Sequence, residues 1–243
     1  MTALPSFVHG TSNEPLRYLT MGQLLRDTAS AHPRREALVV RHQALRLSYA
    51  ELDAQVDALA AGLLALGLAR GERIGIWSPN NAEWVLTQFA AARAGLVLVN
   101  INPAYRLAEL EYALNKVGCV ALVTASRFKS SDYLGMLRTL APELAQARPG
   151  ALRAAKLPAL RLVIAIDDQP QPGMLPFAAV PALGGAADHA RLAELAAELQ
   201  PDDAVNIQFT SGTTGMPKGA TLTHFNVVNN GYFVGQAMRF TPE

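Results

Sequence analysis

The chain has 243 residues, half of them hydrophobic, with a formal net charge of +1 and a single cysteine. That length and apolar content are enough for one large domain or two lobes around a substantial core, and the near-neutral charge without a basic patch excludes nucleic acid as an expected partner. Cys119 stands alone, which excludes an intrachain disulfide and leads to the expectation of a reducing, cytoplasmic setting; neither a signal peptide nor a membrane-spanning run is expected.

Thr20-Met21-Gly22-Gln23 has the form of a capped N-terminus for a short helix that ends towards His32-Pro33. Residues 37–40 and 45–47 read as strands around a turn. Ser48-Tyr49-Ala50-Glu51 is a clearer capping box, behind which Leu52, Val56, Leu59, Leu63 and Leu66 recur at helical spacing until Gly67 stops the helix. Arg73 to Trp77 reads as a strand, Ser78-Pro79-Asn80 breaks it, and a helix from about residue 81 to 94 ends at Gly95. Leu96 to Asn100 is almost continuously apolar, as a strand covered on both faces must be. Asn102-Pro103 then turns the chain into a helix over residues 107–117, Gly118 ends it, and a strand over 119–123 follows. This rhythm predicts an α/β fold with right-handed crossovers, a mainly parallel sheet and helices on both faces.

Seven prolines between Pro142 and Pro181 change the character of the chain. Residues 160–166 can form a strand, whereas 169–185 reads as an irregular connection. A helix near residues 188–199 leads through Pro201-Asp202-Asp203 into the apolar run Ala204 to Phe209, a buried strand. Residues 219–222 then suggest a short strand, and Thr223 a cap for a helix running towards Met238. The expected organisation is an N-terminal segment of strands and a helix (1–47), an α/β lobe with a proline-rich connection at 141–185 (48–200), and the start of a second α/β lobe (201–243).

Between strand and strand lies Thr210-Ser211-Gly212-Thr213-Thr214-Gly215-Met216-Pro217-Lys218-Gly219. Backbone without Cβ atoms at Gly212 and Gly215 can curl so that several N–H groups point into one concavity, which suits an anion. Hydroxyls of Thr210, Ser211, Thr213 and Thr214 add donors, and Lys218 adds a compact charge, with no acidic side chain to oppose it. The chemistry favoured is polyphosphate binding. A generic Gly/Ser/Thr cluster is usually only a surface turn. The Walker pattern is not met, because Pro217 precedes Lys218 and Gly219 follows it.

Other candidates carry less. Asp167-Asp168 and Asp202-Asp203 adjoin prolines and read as solvated turn acids. The five histidines (His9, His32, His42, His189, His224) show no metal-ligand spacing, so no residue is assigned to a metal. His224, at a helix start beyond the glycine loop, is read first as a local hydrogen-bonding residue. Cys119 lies in an apolar strand and reads as a packed thiol. No Gly-x-Ser-x-Gly elbow supports a hydrolase.

The run 210–219 resembles the phosphate loop of the adenylate-forming enzymes (acyl-CoA synthetases, luciferases, peptide-synthetase adenylation domains), whose signature Thr-Ser-Gly-Ser/Thr-Thr-Gly-x-Pro-Lys-Gly is present at every position. Residues 73–84 are similar to the first core βα unit of that family, and residues 94–105 to the strand and turn that follow. Asn-Ile-Asn-Pro-Ala-Tyr at 100–105 and Leu-Glu-Tyr-Ala-Leu at 110–114 most resemble the fatty and medium-chain acyl-CoA synthetase branch. The resemblance spans roughly residues 20 to 240, and only the loop carries diagnostic chemistry.

The resemblance implies a two-step ligase. A fatty carboxylate attacks the α-phosphorus of ATP to give acyl-AMP and pyrophosphate, and the thiol of CoA then displaces AMP. Thr210, Ser211, Gly212, Thr213, Thr214, Gly215 and Lys218 are the implied phosphate contacts. Lys218 is the catalytic charge, and Mg²⁺ the accompanying cofactor. Another acid or acceptor within the same enzyme class is the alternative. Family members also have a longer core and a small mobile C-terminal domain. The adenine, ribose and magnesium motifs and the late catalytic lysine have no counterpart before Glu243, so an N-terminal piece that is inactive alone is expected.

Overall fold

The structure, a computed structural model, describes residues 13–167, 169–210 and 217–241. Helix α1 (Met21–Ala31) is capped by Thr20, whose hydroxyl accepts from the Gln23 N–H at 3.2 Å. A hairpin of β1 (Glu36–Val40) and β2 (Leu45–Ser48) leads into α2 (Tyr49–Ala65). There the capping box is complete: Glu51 N–H donates to the Ser48 hydroxyl, and Ser48 N–H donates to the Glu51 carboxylate at 2.8 Å.

Next come β3 (Arg73–Trp77), α3 (Ala82–Arg93), β4 (Val97–Asn100), α4 (Leu107–Val117) and β5 (Cys119–Ala125). Gly118 ends α4 in the left-handed region at φ 60°, where a side chain would be strained. A small hairpin, β6 (Arg127–Phe128) with β7 (Ser131–Asp132), introduces α5 (Tyr133–Leu140), a helix the sequence pattern did not reveal. Strand β8 (Leu162–Ile166) agrees with expectation.

The stretch after it is more ordered than its prolines suggest. It holds β9 (Leu175–Pro176) and a 3₁₀ helix, Phe177–Leu183, that contains Pro181 and buries Phe177 and Val180. A 3₁₀ turn tolerates proline where a long α-helix does not, and burial of two apolar side chains fixes it in place. The chain closes with α6 (Ala186–Glu198), β10 (Ala204–Thr210), β11 (Lys218–Thr223) and α7 (His224–Ala237), the last capped by Thr223.

The main sheet has seven strands in the order β11-β10-β4-β3-β5-β8-β9. All neighbouring pairs are parallel except β10 with the edge strand β11. The chain steps from β3 to β4 in one direction and returns over β3 to β5, which places α3 and α4 on opposite faces. On one face Leu52, Val56 and Leu59 of α2, Leu86 of α3 and Leu192 of α6 pack against Ile74, Ile76, Leu98 and Ile164. On the other, Leu110 and Leu114 of α4 and Leu137 of α5 meet Val99, Leu122 and Val163. Both sides of β3, β4 and β5 are therefore dry, which accounts for their unbroken apolar runs. Each Leu or Ile fully withdrawn from water contributes about 1.5–3 kcal/mol.

Candidate active site

Because the central strands run parallel, Trp77, Asn100 and Thr210 all end at the same edge of the sheet, the carboxyl edge where open α/β sheets place ligands. Thr210 is the last residue of β10 and Lys218 the first of β11, and the two are ladder partners. The Thr210 hydroxyl reaches the Lys218 carbonyl at 3.4 Å, and both residues are exposed. The two flanks of the glycine loop are thus held against each other at the tip of one hairpin. Ser211, Gly212, Thr213, Thr214 and Gly215 lie outside the described residues.

Helix α4 passes beneath this hairpin. The Tyr112 hydroxyl donates to the Pro217 carbonyl at 3.2 Å, and its ring meets Phe209 edge-on with centroids 6.5 Å apart. A Cβ added to Gly219 would lie 3.2 Å from Ile207 Cγ2 and 3.7 Å from Val117 Cγ1, so β11 lies close over β10 and the end of α4. In sequence, Tyr112 belongs to the Leu-Glu-Tyr-Ala-Leu run at 110–114, and nothing local marks it as a neighbour of residue 217.

The turn after β4 shares the carboxyl edge. Trp77 stacks on Tyr133 at 3.7 Å between ring centroids, its indole N–H donates to the Asn102 carbonyl at 3.2 Å, and the Tyr133 hydroxyl donates to the Pro103 carbonyl at 2.6 Å. Burial pushes the Tyr133 phenol up to about 12, so it remains a donor at any working pH. The Asn100 amide oxygen is buried and has no protein partner among the described residues.

His224 is almost fully buried and serves as a tether. Its Nδ1 accepts the Met21 N–H at 3.1 Å, capping the first turn of α1, while its backbone N–H donates to the Asp203 carbonyl at 3.2 Å. Burial pushes the imidazole down to about 4, with Asp203 opposing weakly, so it is neutral near pH 7. Close by, the carboxamide of Asn229 pairs with both backbone groups of Arg17, at 2.8 and 2.9 Å. These contacts tie the segment before α1 to the helix that follows the hairpin.

The remaining candidates are occupied otherwise. Asp202 accepts from the Tyr18 hydroxyl at 2.7 Å, Asp203 pairs with Arg70 at 2.8 Å, and Asp167 accepts from Gln169 N–H at 2.9 Å; Asp168 lies outside the described residues. Among the described residues no group of three His, Cys, Asp or Glu side chains converges on one point. Cys119 is buried, and desolvation pushes its thiol up to about 12, which suits packing and not nucleophilic attack. No helix among the described residues is long and apolar enough to cross a membrane.

Comparison with known proteins gives a consistent picture. The family described as AMP-binding enzyme matches residues 25–242. A medium-chain acyl-CoA ligase of Danio rerio (ACSF2, mitochondrial) is 48% identical over 239 residues, and its Homo sapiens counterpart is 47% identical over 242 residues; each alignment covers 98% of this chain. The chain spans only 39% of the length of those two ligases. Among solved structures, Mycobacterium smegmatis MbtA is 28% identical with a TM-score of 0.73, covering 93% of this chain and 38% of that one.

Proposed function

The chain belongs to the AMP-binding enzyme family, and from that premise we propose that it forms the amino-terminal part of an acyl-CoA ligase acting on a fatty carboxylate. The observation that carries the proposal is the ten-residue run 210–219, with Thr210 and Lys218 presented together at the exposed carboxyl edge of the sheet. The carboxylate oxygen bonds to the α-phosphorus of ATP as the bond to the bridging oxygen breaks, and the electron pair leaves with pyrophosphate. The thiolate sulfur of CoA then bonds to the acyl carbon and AMP departs.

In this reading Lys218, the catalytic residue, with Thr210, Ser211, Gly212, Thr213, Thr214 and Gly215, contacts the phosphates. A fixed cation and preoriented donors stabilise the charge that accumulates on the departing pyrophosphate more than that of bound ATP, and this difference accelerates the step. Magnesium is the proposed companion of ATP, and when bound it would neutralise charge on the phosphates. Residues 201–243 are taken as the beginning of a second lobe, and the buried, unreactive Cys119 suits the reducing cytoplasm proposed as the compartment.

Adenylation also needs ATP and carboxylate held in near-attack geometry, which supplies a large share of the acceleration. The chain spans 39% of the two ligases, so residues 1–243 alone are expected to form no acyl-AMP. The test is ATP–pyrophosphate exchange with fatty acids of varied length, run on residues 1–243 and on the complete polypeptide that carries them. Carboxylate-dependent exchange by the complete polypeptide supports the ligase. Its absence with every acid overturns that reading, and exchange by residues 1–243 overturns the claim that they are insufficient.

A further inference from the structure

The hairpin that presents Lys218 is a soft mount on its own. β11 is an edge strand with a neighbour on one side only, and its first four residues are exposed. β10 is paired with β4 only at Asn206, Ile207 and Gln208, so Phe209 and Thr210 with Lys218 and Gly219 continue as a two-stranded ribbon, which twists strongly and is marginal without a face to pack on. A lysine that must meet a phosphate within a few tenths of an ångström needs its strand held from below.

We propose that Tyr112 is the positioning residue for the loop, an inference that rests on reading residues 210–219 as a phosphate cradle. One side chain reaches both stems. Its hydroxyl holds the carbonyl of Pro217, the residue before Lys218, and its ring edge holds Phe209, the residue before Thr210. Proline has no N–H, so that carbonyl is the only backbone group by which residue 217 can be fixed. A tyrosine does this at low entropic cost, because two torsions set both the ring and the hydroxyl. The ring meets Phe209, which packs against the core cluster that holds Leu110 and Leu114, so the stems take their height from a helix anchored in the core. Tyr112 acts through Lys218 and Thr210 and touches neither substrate.

The experiment compares wild type, Tyr112→Phe, Tyr112→Leu and a Lys218→Ala control in the complete polypeptide. Amide hydrogen exchange over residues 218–223 should quicken about fivefold in Tyr112→Phe, the loss expected for one hydroxyl-to-carbonyl bond, while residues 107–117 keep their rate. In ATP–pyrophosphate exchange the KM for ATP should rise about fivefold and that for the carboxylate stay unchanged; Tyr112→Leu, which also loses the edge contact, should raise it further. A purely structural role would instead lower the melting temperature and affect both substrates alike. If Lys218→Ala loses exchange while both Tyr112 variants keep the wild-type KM for ATP and wild-type amide protection, the positioning role is wrong and the cradle stands. If Lys218→Ala exchanges pyrophosphate at the wild-type rate, the cradle reading falls, and this inference with it.

Discussion

His224 should make the folded chain acid-labile by an amount the structure sets. Its imidazole is buried at the junction of α1, α7 and the segment before β10, and accepts the Met21 N–H through an unprotonated Nδ1. Burial lowers its pKa from 6.5 to about 4, so between those values the unfolded chain binds a proton that the folded chain does not. Stability therefore rises with pH across this window and is lost as pH falls through it. The loss comes to about 2 kcal/mol at pH 5 and about 3 kcal/mol near pH 4, or roughly 4–8 °C of melting temperature at pH 5 for a chain of this size. The matched variant is His224→Asn, whose amide oxygen can take the Met21 N–H without titrating. Urea unfolding of both proteins at pH 7.5, 6, 5 and 4.5 isolates the contribution, because every other titrating group is common to the pair. The wild type should lose about 2 kcal/mol more than the variant between pH 7.5 and 5. Parallel stability curves would refute the assignment, whatever their common slope.

Gly62 lies in α2 under the 3₁₀ helix, where an added Cβ would fall 2.0 Å from the Val180 carbonyl oxygen. Gly62→Ala should destabilise by about 2 kcal/mol, since overpacking outweighs the helix-propensity gain of about 1 kcal/mol, and a raised denaturation midpoint would contradict this. The buried guanidinium of Arg93 pairs with Asp53 and Asp57, whose side chains remain 27% and 36% exposed. Arg93→Met should cost about 2 kcal/mol, less than a sealed pair because both carboxylates can hydrate and Asp57 keeps Arg26 at 3.8 Å, and an unchanged midpoint would count against a stabilising role. Lys218→Ala in the complete polypeptide should slow adenylation about ten- to a thousandfold with little change in fatty-acid affinity; pyrophosphate exchange at the wild-type rate would remove Lys218 from the mechanism.

Features encoded within a few residues were legible in the chain itself. Ser48 and Glu51 announce the start of α2, Gly118 the end of α4, and the run from Leu96 to Asn100 a strand buried on both faces. The fixed positions of 210–219 pointed to the family in the same local way, because the residues that carry its signature are contiguous. Helix α5 escaped notice because it has only eight residues, and the 3₁₀ helix at Phe177–Leu183 because Pro181 and the prolines before it mimic a loop and only burial of Phe177 and Val180 gives it a reason to form.

What only the tertiary structure decided is which distant segments meet. No spacing in the sequence states that β4 returns across β3, that β10 joins the sheet beside β4, or that β11 turns antiparallel at the edge. Arg17 finds Asn229 across 212 positions, and Tyr112 finds Pro217 across 105. Helix caps and apolar periods are set by neighbours along the backbone, whereas these pairings are set by which apolar faces can be buried together, a property of the whole chain that no short stretch of it carries.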